Sequence, residues 1–251
     1  MSYDRTDDLQ KQIDDINERL DRLTGEKVRR EAAEVRERAD LSRDDVNREQ
    51  NARWLKQTAD GWILVKRDDN SEEVPLPSHL KVSLTSSASG RDRITVLESI
   101  WTGLKANVAI GFLVAANPHH GAVTMEFGPR QGGPIDIGGE TYDKQVVLTF
   151  TKDGQAKKVG PHPAKTHPTN PTPEGTHVMQ IPDYPHAANP SYGPLRTVWF
   201  RVGTSGDRYI HPGRISNGCI TCAPGNWGEI YAALVMGRKD STAVGDVKVK
   251  P

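Results

Sequence analysis

The stretch "YIHPGRISNGCITC" (residues 209–222) contains both cysteines of the chain, Cys219 and Cys222, and places His211 eight residues before the first of them. Its apolar start is typical of a strand, and the Pro-Gly dipeptide after the histidine predicts a tight loop that returns the chain past the imidazole. Such a pattern fits either a metal or redox pair, or a single thiol nucleophile with its base. The rest of the sequence has to decide between these alternatives.

A metal or redox site is poorly supported by the surrounding residues. Tetrahedral zinc takes four ligands, usually as two close pairs. Cys219 and Cys222 give one pair and His211 a third ligand, but no second pair follows. A redox CxxC motif belongs at the start of a helix in a βαβ unit, whereas Pro224 and Gly225 follow here in β-type sequence. The remaining candidate histidines lie upstream in different surroundings: His162, His167 and His177. We therefore predict no metal and no organic cofactor, with a CxxC zinc or redox module kept as an alternative.

The nucleophile interpretation needs only the residues that are present. Gly218 immediately precedes Cys219 among turn-forming residues, and a glycine lets the backbone turn sharply enough for amide N–H groups to face a developing oxyanion. An imidazole within hydrogen-bonding reach lowers the pKa of a thiol and can later protonate a leaving amine. The segment therefore predicts Cys219 as nucleophile and His211 as its base.

Around this segment, from about residue 122 onward, short apolar runs alternate with Gly- and Pro-containing turns, which predicts an all-β unit. The runs are "AVTMEFGP" (122–129), "QVVLTFTKDGQ" (145–155), "GTHVMQIPD" (175–183) and "RTVWFRVGTSGDRYIH" (196–211). The segment "PGNWGEIYAALVMG" (224–237) predicts one short amphipathic helix. We assign residues 122–245 to this catalytic domain, and the composition of residues 182–196 predicts a lid or groove wall.

The first half of the chain has a different character. Apolar residues with the 4, 3, 4, 3 spacing of a coiled-coil seam occur at Leu9, Ile13, Ile16, Leu20 and Leu23. We therefore predict a helical or coiled-coil segment over residues 1–50 that self-associates or binds a protein partner through residues 9–23. The alternative is an amphipathic helix folded back on the body.

Residues 51–121 are predicted to form a small α+β accessory region. A strand, a turn and a second strand are expected within residues 60–77. A helix packed on a sheet is expected from residue 91, because apolar residues recur at helical spacing at Ile94, Leu97, Ile100, Trp101 and Leu104. The pair His119–His120 is expected to lie in a surface loop.

Charge and hydropathy narrow the possible partners. Lys plus Arg equals Asp plus Glu at 33 each, so electrostatics gives no case for binding nucleic acid or an anionic membrane. The charged N-terminus lacks the apolar core of a signal peptide. The longest apolar run, Val108–Ala116, is too short to span a bilayer and is expected to be a buried strand or helix. We expect a chain without a membrane span that is cytoplasmic when made.

Three motifs in order resemble the L,D-transpeptidase (YkuD-type) family. "YIHPGRISNGCIT" resembles its active-site signature, a strand ending in His, a loop, and Ser/Thr-x-Gly-Cys-aliphatic. "NPTPEGTHVMQI" resembles the strand upstream of it, and "WGEIYAAL" resembles the helix that closes the domain; "QVVLTFTKDGQ" is similar to an early hairpin. The resemblance covers about residues 140–238 and implies a mainly β, L,D-transpeptidase-like β-sandwich with a short closing helix.

The resemblance also implies roles for individual residues. Cys219 would be the nucleophile and His211 its base, and backbone N–H groups of Gly218 and Cys219 would form the oxyanion hole. Ser216 would hold the loop through hydrogen bonds, and the carbonyl near Pro212 would orient the imidazole. Substrate-binding roles are expected for His177, Asn217, Tyr192 and Arg214, with a packed strand histidine as the alternative for His177.

The signature departs from the commoner family pattern at two positions and in length. Asn217 stands where His is usual, Thr221 stands where Arg or Asn is frequent, and the loop from His to Cys is short. A short loop and a non-His residue before the glycine are shared by a branch exported through type VI secretion that acts on the peptidoglycan of rival bacteria. Cys222 has no family role and is expected to be a buried small residue, or the partner of Cys219 in a reversible protective disulfide.

The implied activity is attack by a cysteine on a peptidoglycan stem peptide, with crosslinking, D-amino-acid exchange or L,D-carboxypeptidase hydrolysis as outcomes, at the cell wall or periplasm after signal-independent export. The alternative class is a non-catalytic β module carried on a coiled-coil adaptor.

Overall fold

The computed structural model describes residues 47–203 and 206–251. The coiled coil predicted for residues 9–23 lies outside these ranges. Residues 47–50 are helical, and Asn51–Pro251 form a unit of their own that is built mainly of β-strands. The mainly β fold class predicted from the sequence is confirmed for this part of the chain.

The first sheet contains seven strands, all paired antiparallel, in the order β3-β2-β6-β5-β4-β1-β7. These strands are β1 (Ala52–Leu55), β2 (Trp62–Arg67), β3 (Glu73–Pro77), β4 (Lys81–Ala88), β5 (Arg91–Val96), β6 (Lys105–Ala109) and β7 (Leu113–Val114). The strand, turn and strand expected within residues 60–77 are present as β2 and β3. The apolar run from Val108 contains the end of β6, a turn and β7, and not one continuous buried element.

The helix expected from residue 91 is wrong. Residues Arg91–Val96 form β5, which pairs with β4 on one side and β6 on the other. Ile94 and Val96 are buried at the strand period of two, and β-branched residues suit a pleated sheet. Ile100, which the helical spacing placed in the core, is 65 % exposed. Residues 51–121 therefore form a β region rather than the expected α+β region, and they contain no α-helix.

The second sheet contains eight strands in the order β13-β17-β8-β11-β12-β16-β15-β14, and a separate hairpin is formed by β9 (Ile135–Ile137) and β10 (Glu140–Tyr142). The eight strands are β8 (Val123–Pro129), β11 (Lys144–Lys152), β12 (Gln155–Lys165), β13 (Gly175–Gln180), β14 (Phe200–Arg201), β15 (Tyr209–Pro212), β16 (Ile220–Cys222) and β17 (Ala243–Val249). Two of its pairs are parallel, β15 with β16 and β17 with β8.

The expected closing helix is present as α1 (Trp227–Val235). Its apolar face is buried and belongs to a hydrophobic core that also contains residues of both sheets. The indole of Trp62 in the first sheet donates a hydrogen bond to Thr197 Oγ1 (3.0 Å), which lies in the segment between β13 and β14. No helix in the described ranges has the length and apolar character needed to cross a membrane.

A group of polar side chains is buried beside this core, and we call it the Glu98–Arg238 cluster: His79, Glu98, His119 and Arg238. Arg238 Nε donates to Glu98 Oε2 at 3.0 Å, and His119 Nε2 donates to the His79 carbonyl at 2.7 Å. The side chains of His119 and Glu98 are each 8 % exposed. The expected surface loop at His119–His120 is therefore wrong, because the neighbouring His120 is also buried and stacks on Phe150.

Candidate active site

The predicted base lies on β15, and the predicted nucleophile directly precedes the neighbouring parallel strand β16. In the pairing of β15 with β16, His211 is opposite Thr221, and Cys219 lies two residues before Thr221. The side chains of His211 and Cys219 line the same cavity.

The second cysteine faces the other way. Cys222 is opposite Pro212, has no exposed surface and belongs to the hydrophobic core. Burial raises the pKa of its thiol to about 12, and both cysteines are free thiols. The expectation that Cys222 is a buried small residue is confirmed. The opposite orientations of the two thiols argue against a CxxC zinc or redox module, and no group of three or more His, Cys, Asp or Glu side chains in the described ranges is arranged to hold a metal ion.

The cavity has a volume of about 620 Å³ and a largely aromatic wall. Its lining residues are Tyr184, His186, Trp199, Asp207, Tyr209, His211, Ile215, Asn217 and Cys219. Tyr184 and His186 come from the segment 182–196 that was predicted to be a lid or groove wall. Asn217, predicted to bind substrate, is also in the lining.

The other residues predicted to bind substrate do not line this cavity. His177 lies on β13, where its Nε2 donates to the Pro173 carbonyl at 2.8 Å. Tyr192 ends a short 3-10 helix whose residues are not buried. The exposed Arg214 carries its guanidinium against Gly138, in the turn between β9 and β10. The structure therefore does not bring these three residues to the predicted nucleophile.

The imidazole of His211 is fixed by its own backbone neighbour. Nδ1 lies 2.9 Å from the Pro212 carbonyl, and because a carbonyl only accepts, the proton is on Nδ1 and Nε2 is an acceptor. The orienting contact implied by the family resemblance is thus present. Nε2 lies 3.3 Å from Thr221 Oγ1. Burial lowers the pKa of His211 to about 4, although the Pro212 hydrogen bond opposes this shift, so the imidazole is neutral at pH 7.

The thiol of Cys219 is also neutral in this geometry. Burial raises its pKa, while the backbone of Tyr209 and the charge of Arg208 act in the opposite direction. Its Sγ lies 3.9 Å from the Asp207 carbonyl, and among the described residues no hydrogen bond joins Sγ to His211. The pair is therefore a thiol and an imidazole at rest, and not a preformed thiolate and imidazolium.

Two residues shape the loop that carries the thiol. Ser216 Oγ donates to the Cys219 carbonyl at 2.8 Å and accepts from the Gly218 N–H at 3.3 Å, so it ties the loop as predicted. The Gly218 N–H is consequently already used, which corrects its expected role as an oxyanion donor. Gly218 has φ +108°, and a Cβ at this position would collide with the Arg208 guanidinium; glycine is needed for both reasons.

A column of stacked rings leads to the predicted base. Tyr184 stacks on His186 (4.4 Å between ring centroids), His186 on Trp199 (4.5 Å), and Trp199 on His211 (4.2 Å). His186 Nε2 also lies 3.1 Å from Asp183 Oδ1. Sequence reasoning missed Trp199 and His186, since an aromatic residue in a strand run and a histidine in a Pro-rich segment carry no local signal of a site. The aromatic content of residues 182–199 was the only hint.

Comparison of the chain with protein-family models, with curated proteins and with solved structures gives no match. The resemblance to the L,D-transpeptidase family therefore stays a prediction from the sequence motifs within residues 140–238.

Proposed function

We propose that this chain is a cysteine-dependent acyltransferase, and more particularly a peptidoglycan L,D-transpeptidase or L,D-carboxypeptidase acting on stem peptides. The observation that carries the proposal is that His211, on β15, and Cys219, directly before β16, line one cavity. The tautomer of His211 supports it, because a proton on Nδ1 leaves Nε2 available as a base. The resemblance of the surrounding motifs supplies the substrate class.

In the proposed reaction, the sulfur of Cys219 attacks the carbonyl of the diamino-acid residue that precedes the terminal D-residue. His211 Nε2 accepts the thiol proton as the S–C bond forms. The tetrahedral oxyanion then collapses, the C–N bond breaks, and His211 returns the proton to the leaving amine. A thioester remains on Cys219. An amine of a second stem, a free D-amino acid or water then attacks the thioester, giving a crosslink, an exchanged stem or hydrolysis.

The neutral resting pair suits this sequence of steps. A base whose pKa is lowered to about 4 by burial is unprotonated at pH 7, so it can accept the thiol proton without first losing one. The raised pKa of Cys219 means that this transfer must accompany attack rather than precede it. The thiol is therefore expected to react with a bound acyl substrate more readily than with a free alkylating reagent.

A non-catalytic β module on a coiled-coil adaptor is the second candidate. It is favoured by one observation, the contact of Cys219 Sγ with the Asp207 carbonyl in place of the imidazole. In such a module the thiol would be a packed polar group, and its removal would change no reaction.

The test is incubation of the purified chain with muropeptides and mass analysis of the products. We expect loss of D-alanine from tetrapeptide stems, abolished by Cys219→Ala and reduced about 10²- to 10⁴-fold by His211→Ala, the range for loss of a general acid–base. Cys222→Ala is the matched control, because that thiol faces the core; the variant should retain activity. Turnover that persists in Cys219→Ala would overturn Cys219 as the nucleophile, and no turnover and no carbapenem adduct in the wild type would favour the non-catalytic module.

The remaining expectations follow from the substrate. Stem peptides occur in the bacterial wall, so the proposed site of action is the cell wall or periplasm. Self-association or partner binding through residues 9–23 stays a prediction.

A further inference from the structure

The peptide bond between Gly218 and the nucleophile is held by two side chains from outside the loop. The Gly218 carbonyl accepts a hydrogen bond from Thr172 Oγ1 at 2.8 Å and another from Arg208 Nη1 at 2.6 Å. Two donors to one carbonyl fill both of its acceptor positions. The orientation of this peptide plane is therefore set by Thr172 and Arg208.

Both donors are themselves anchored. Thr172 is 2 % exposed, and its backbone N–H donates to Thr166 Oγ1 at 3.1 Å. Arg208 also donates to the side-chain oxygen of Asn170 at 2.8 Å and to the backbone carbonyl of that residue at 3.3 Å. The segment 166–172 and Arg208 thus form a brace on one side of the nucleophile loop, which we call the Gly218 brace.

The planar trans peptide transmits this constraint to the nucleophile. In a trans peptide unit the C=O and the following N–H point in opposite directions. Because the Gly218 carbonyl points at Thr172 and Arg208, the Cys219 N–H points away from them. The Gly218 N–H is donated to Ser216, and in the described part of the chain the Cys219 N–H has no hydrogen-bond partner. It lies beside the sulfur and is open to an incoming acceptor, whereas the backbone of Tyr209 already forms a hydrogen bond with the Cys219 thiol.

We propose that Thr172 and Arg208 are positioning residues that aim the Cys219 N–H at the oxyanion formed during acylation. This inference rests on the proposed function. A donor that is fixed before the reaction stabilises a developing oxyanion without the cost of reorganisation, and removal of one such donor lowers rates about 10²- to 10³-fold. Because Arg208 still holds the carbonyl when Thr172 is changed, we expect Thr172→Val to lose part of this effect, about tenfold in rate.

Two thiol reagents separate aiming of the N–H from general reactivity of the sulfur. A carbapenem acylates Cys219 through a tetrahedral oxyanion: the S–C bond forms, the lactam C–N bond breaks and the nitrogen takes the proton. Iodoacetamide alkylates by displacement: the S–C bond forms, the C–I bond breaks, iodide leaves, and no oxyanion is made. The rates of both reactions are measured by mass spectrometry on the full chain, with site assignment to Cys219.

For Thr172→Val we expect acylation to fall about tenfold while alkylation stays within about twofold of the wild type. Thr172→Ser, which keeps the hydroxyl, should restore acylation. Arg208→Lys keeps the charge that acts on the thiol pKa but loses the planar fork, and it should show the same selective loss. Thermal unfolding of each variant identifies any that fails to fold, and the remaining variant then decides the outcome.

Equal rates of acylation in Thr172→Val and the wild type, or an equal fall in both reactions, would overturn the brace while leaving the proposed acyl transfer intact. A wild type that is alkylated but never acylated would overturn the proposed function, and the brace with it.

Discussion

Two regions of this molecule bury histidines whose pKa values are lowered by burial, and the two imidazoles face different surroundings. Burial lowers the pKa of His211 to about 4 at the cavity and that of His119 to about 3 in the Glu98–Arg238 cluster. The difference lies in what each imidazole faces. His211 has a backbone carbonyl on Nδ1 and opens on a cavity shared with a thiol. His119 donates to a backbone carbonyl through Nε2, and its Nδ1 faces Glu98 at 3.9 Å.

In the Glu98–Arg238 cluster, the acceptor groups are occupied by the charged guanidinium of Arg238. Arg238 pairs with Glu98 and also donates to the His79 carbonyl at 3.2 Å and to the Val235 carbonyl at the end of α1 at 2.9 Å. A buried imidazole with a low pKa is thus not in itself a sign of a catalytic base. Access to a cavity that is also lined by a thiol distinguishes His211 from His119.

Of the changes that distinguish the Glu98–Arg238 cluster from the cavity, Glu98→Gln is expected to have the largest effect, a loss of unfolding free energy. Removing one partner of a buried ion pair leaves an uncompensated charge and costs about 3–5 kcal/mol of unfolding free energy. The Arg238 guanidinium would be that charge, since its side chain is 10 % exposed. We expect urea unfolding to show this loss while the folded variant is acylated at Cys219 at the wild-type rate.

Two controls sharpen this prediction. The exposed pair of Lys250 with Glu126, at 2.9 Å, should contribute about 0–1 kcal/mol, so Lys250→Ala should change little. The double variant Glu98→Gln/Arg238→Met removes the stranded charge and should recover much of the loss. If Glu98→Gln proves as mild as Lys250→Ala, the cluster does not hold the region together.

The next effect is the dependence of stability on pH. Between the ordinary histidine pKa of 6.5 and a native value near 3, the unfolded chain binds a proton at His119 that the native chain does not. Stability is therefore full above 6.5 and falls as the pH is lowered, by up to about 1.4 kcal/mol per pH unit and per histidine. The charged and titratable groups around this imidazole are Arg238, Glu98, His79 and His120.

Two variants show how much of the stability lost at low pH comes from each of the two regions. His119→Gln should reduce the slope of unfolding free energy against pH between about pH 6.5 and about pH 3. His211→Gln should reduce this slope between about pH 6.5 and about pH 4. Chemical denaturation at a series of pH values measures both slopes. Unchanged slopes in both variants would mean that neither imidazole is held neutral by the fold.

The smallest expected effect is on the rate of acylation and comes from the column of stacked rings that ends at His211. Aromatic pairs contribute about 0.5–1.5 kcal/mol beyond burial, which corresponds to a change of about two- to tenfold in rate if the stack of Trp199 on His211 orients the base. We expect Trp199→Leu to slow acylation of Cys219 by this factor. Trp199→Phe, which keeps a ring face, should lie closer to the wild type, and equal rates for Leu and Phe would exclude an orienting role.

Much of the β architecture could be read from the sequence, because alternating apolar runs and turn residues act locally. β8, β11, β13 and α1 lie where the pattern placed them, and the run 196–211 contains the two short strands β14 and β15. The pattern did not mark β9, β10, β12, β16 or β17. The error at residues 91–104 arose because Ile94 and Leu97 satisfy a helical spacing by coincidence, while β5 is fixed by its pairing with β4 and β6. Pairing between distant strands is not encoded in a local period.

The contacts of the candidate site also divide into those within one short segment and those between distant segments. Cys219, His211, Ser216 and the Pro212 carbonyl lie in one short segment, and the family resemblance implied the contacts of Ser216 and of the Pro212 carbonyl that the structure contains. Thr172 approaches Gly218 from a segment far away in sequence, and the ring column and the Glu98–Arg238 cluster also join distant segments. Such contacts exist only after folding, so no spacing rule could have found them.

The parallel pairing of β15 with β16 has a consequence for how this chain can be engineered. Parallel neighbours usually need a long crossover between them, yet residues 213–219 alone make the return. His211 and Cys219 therefore lie on one short segment of the chain. A version of the protein that is split just before Tyr209 would keep both side chains on the same fragment. Lengthening the 213–219 turn would change the distance between the side chains of His211 and Cys219 while the other strands of the sheet stay the same.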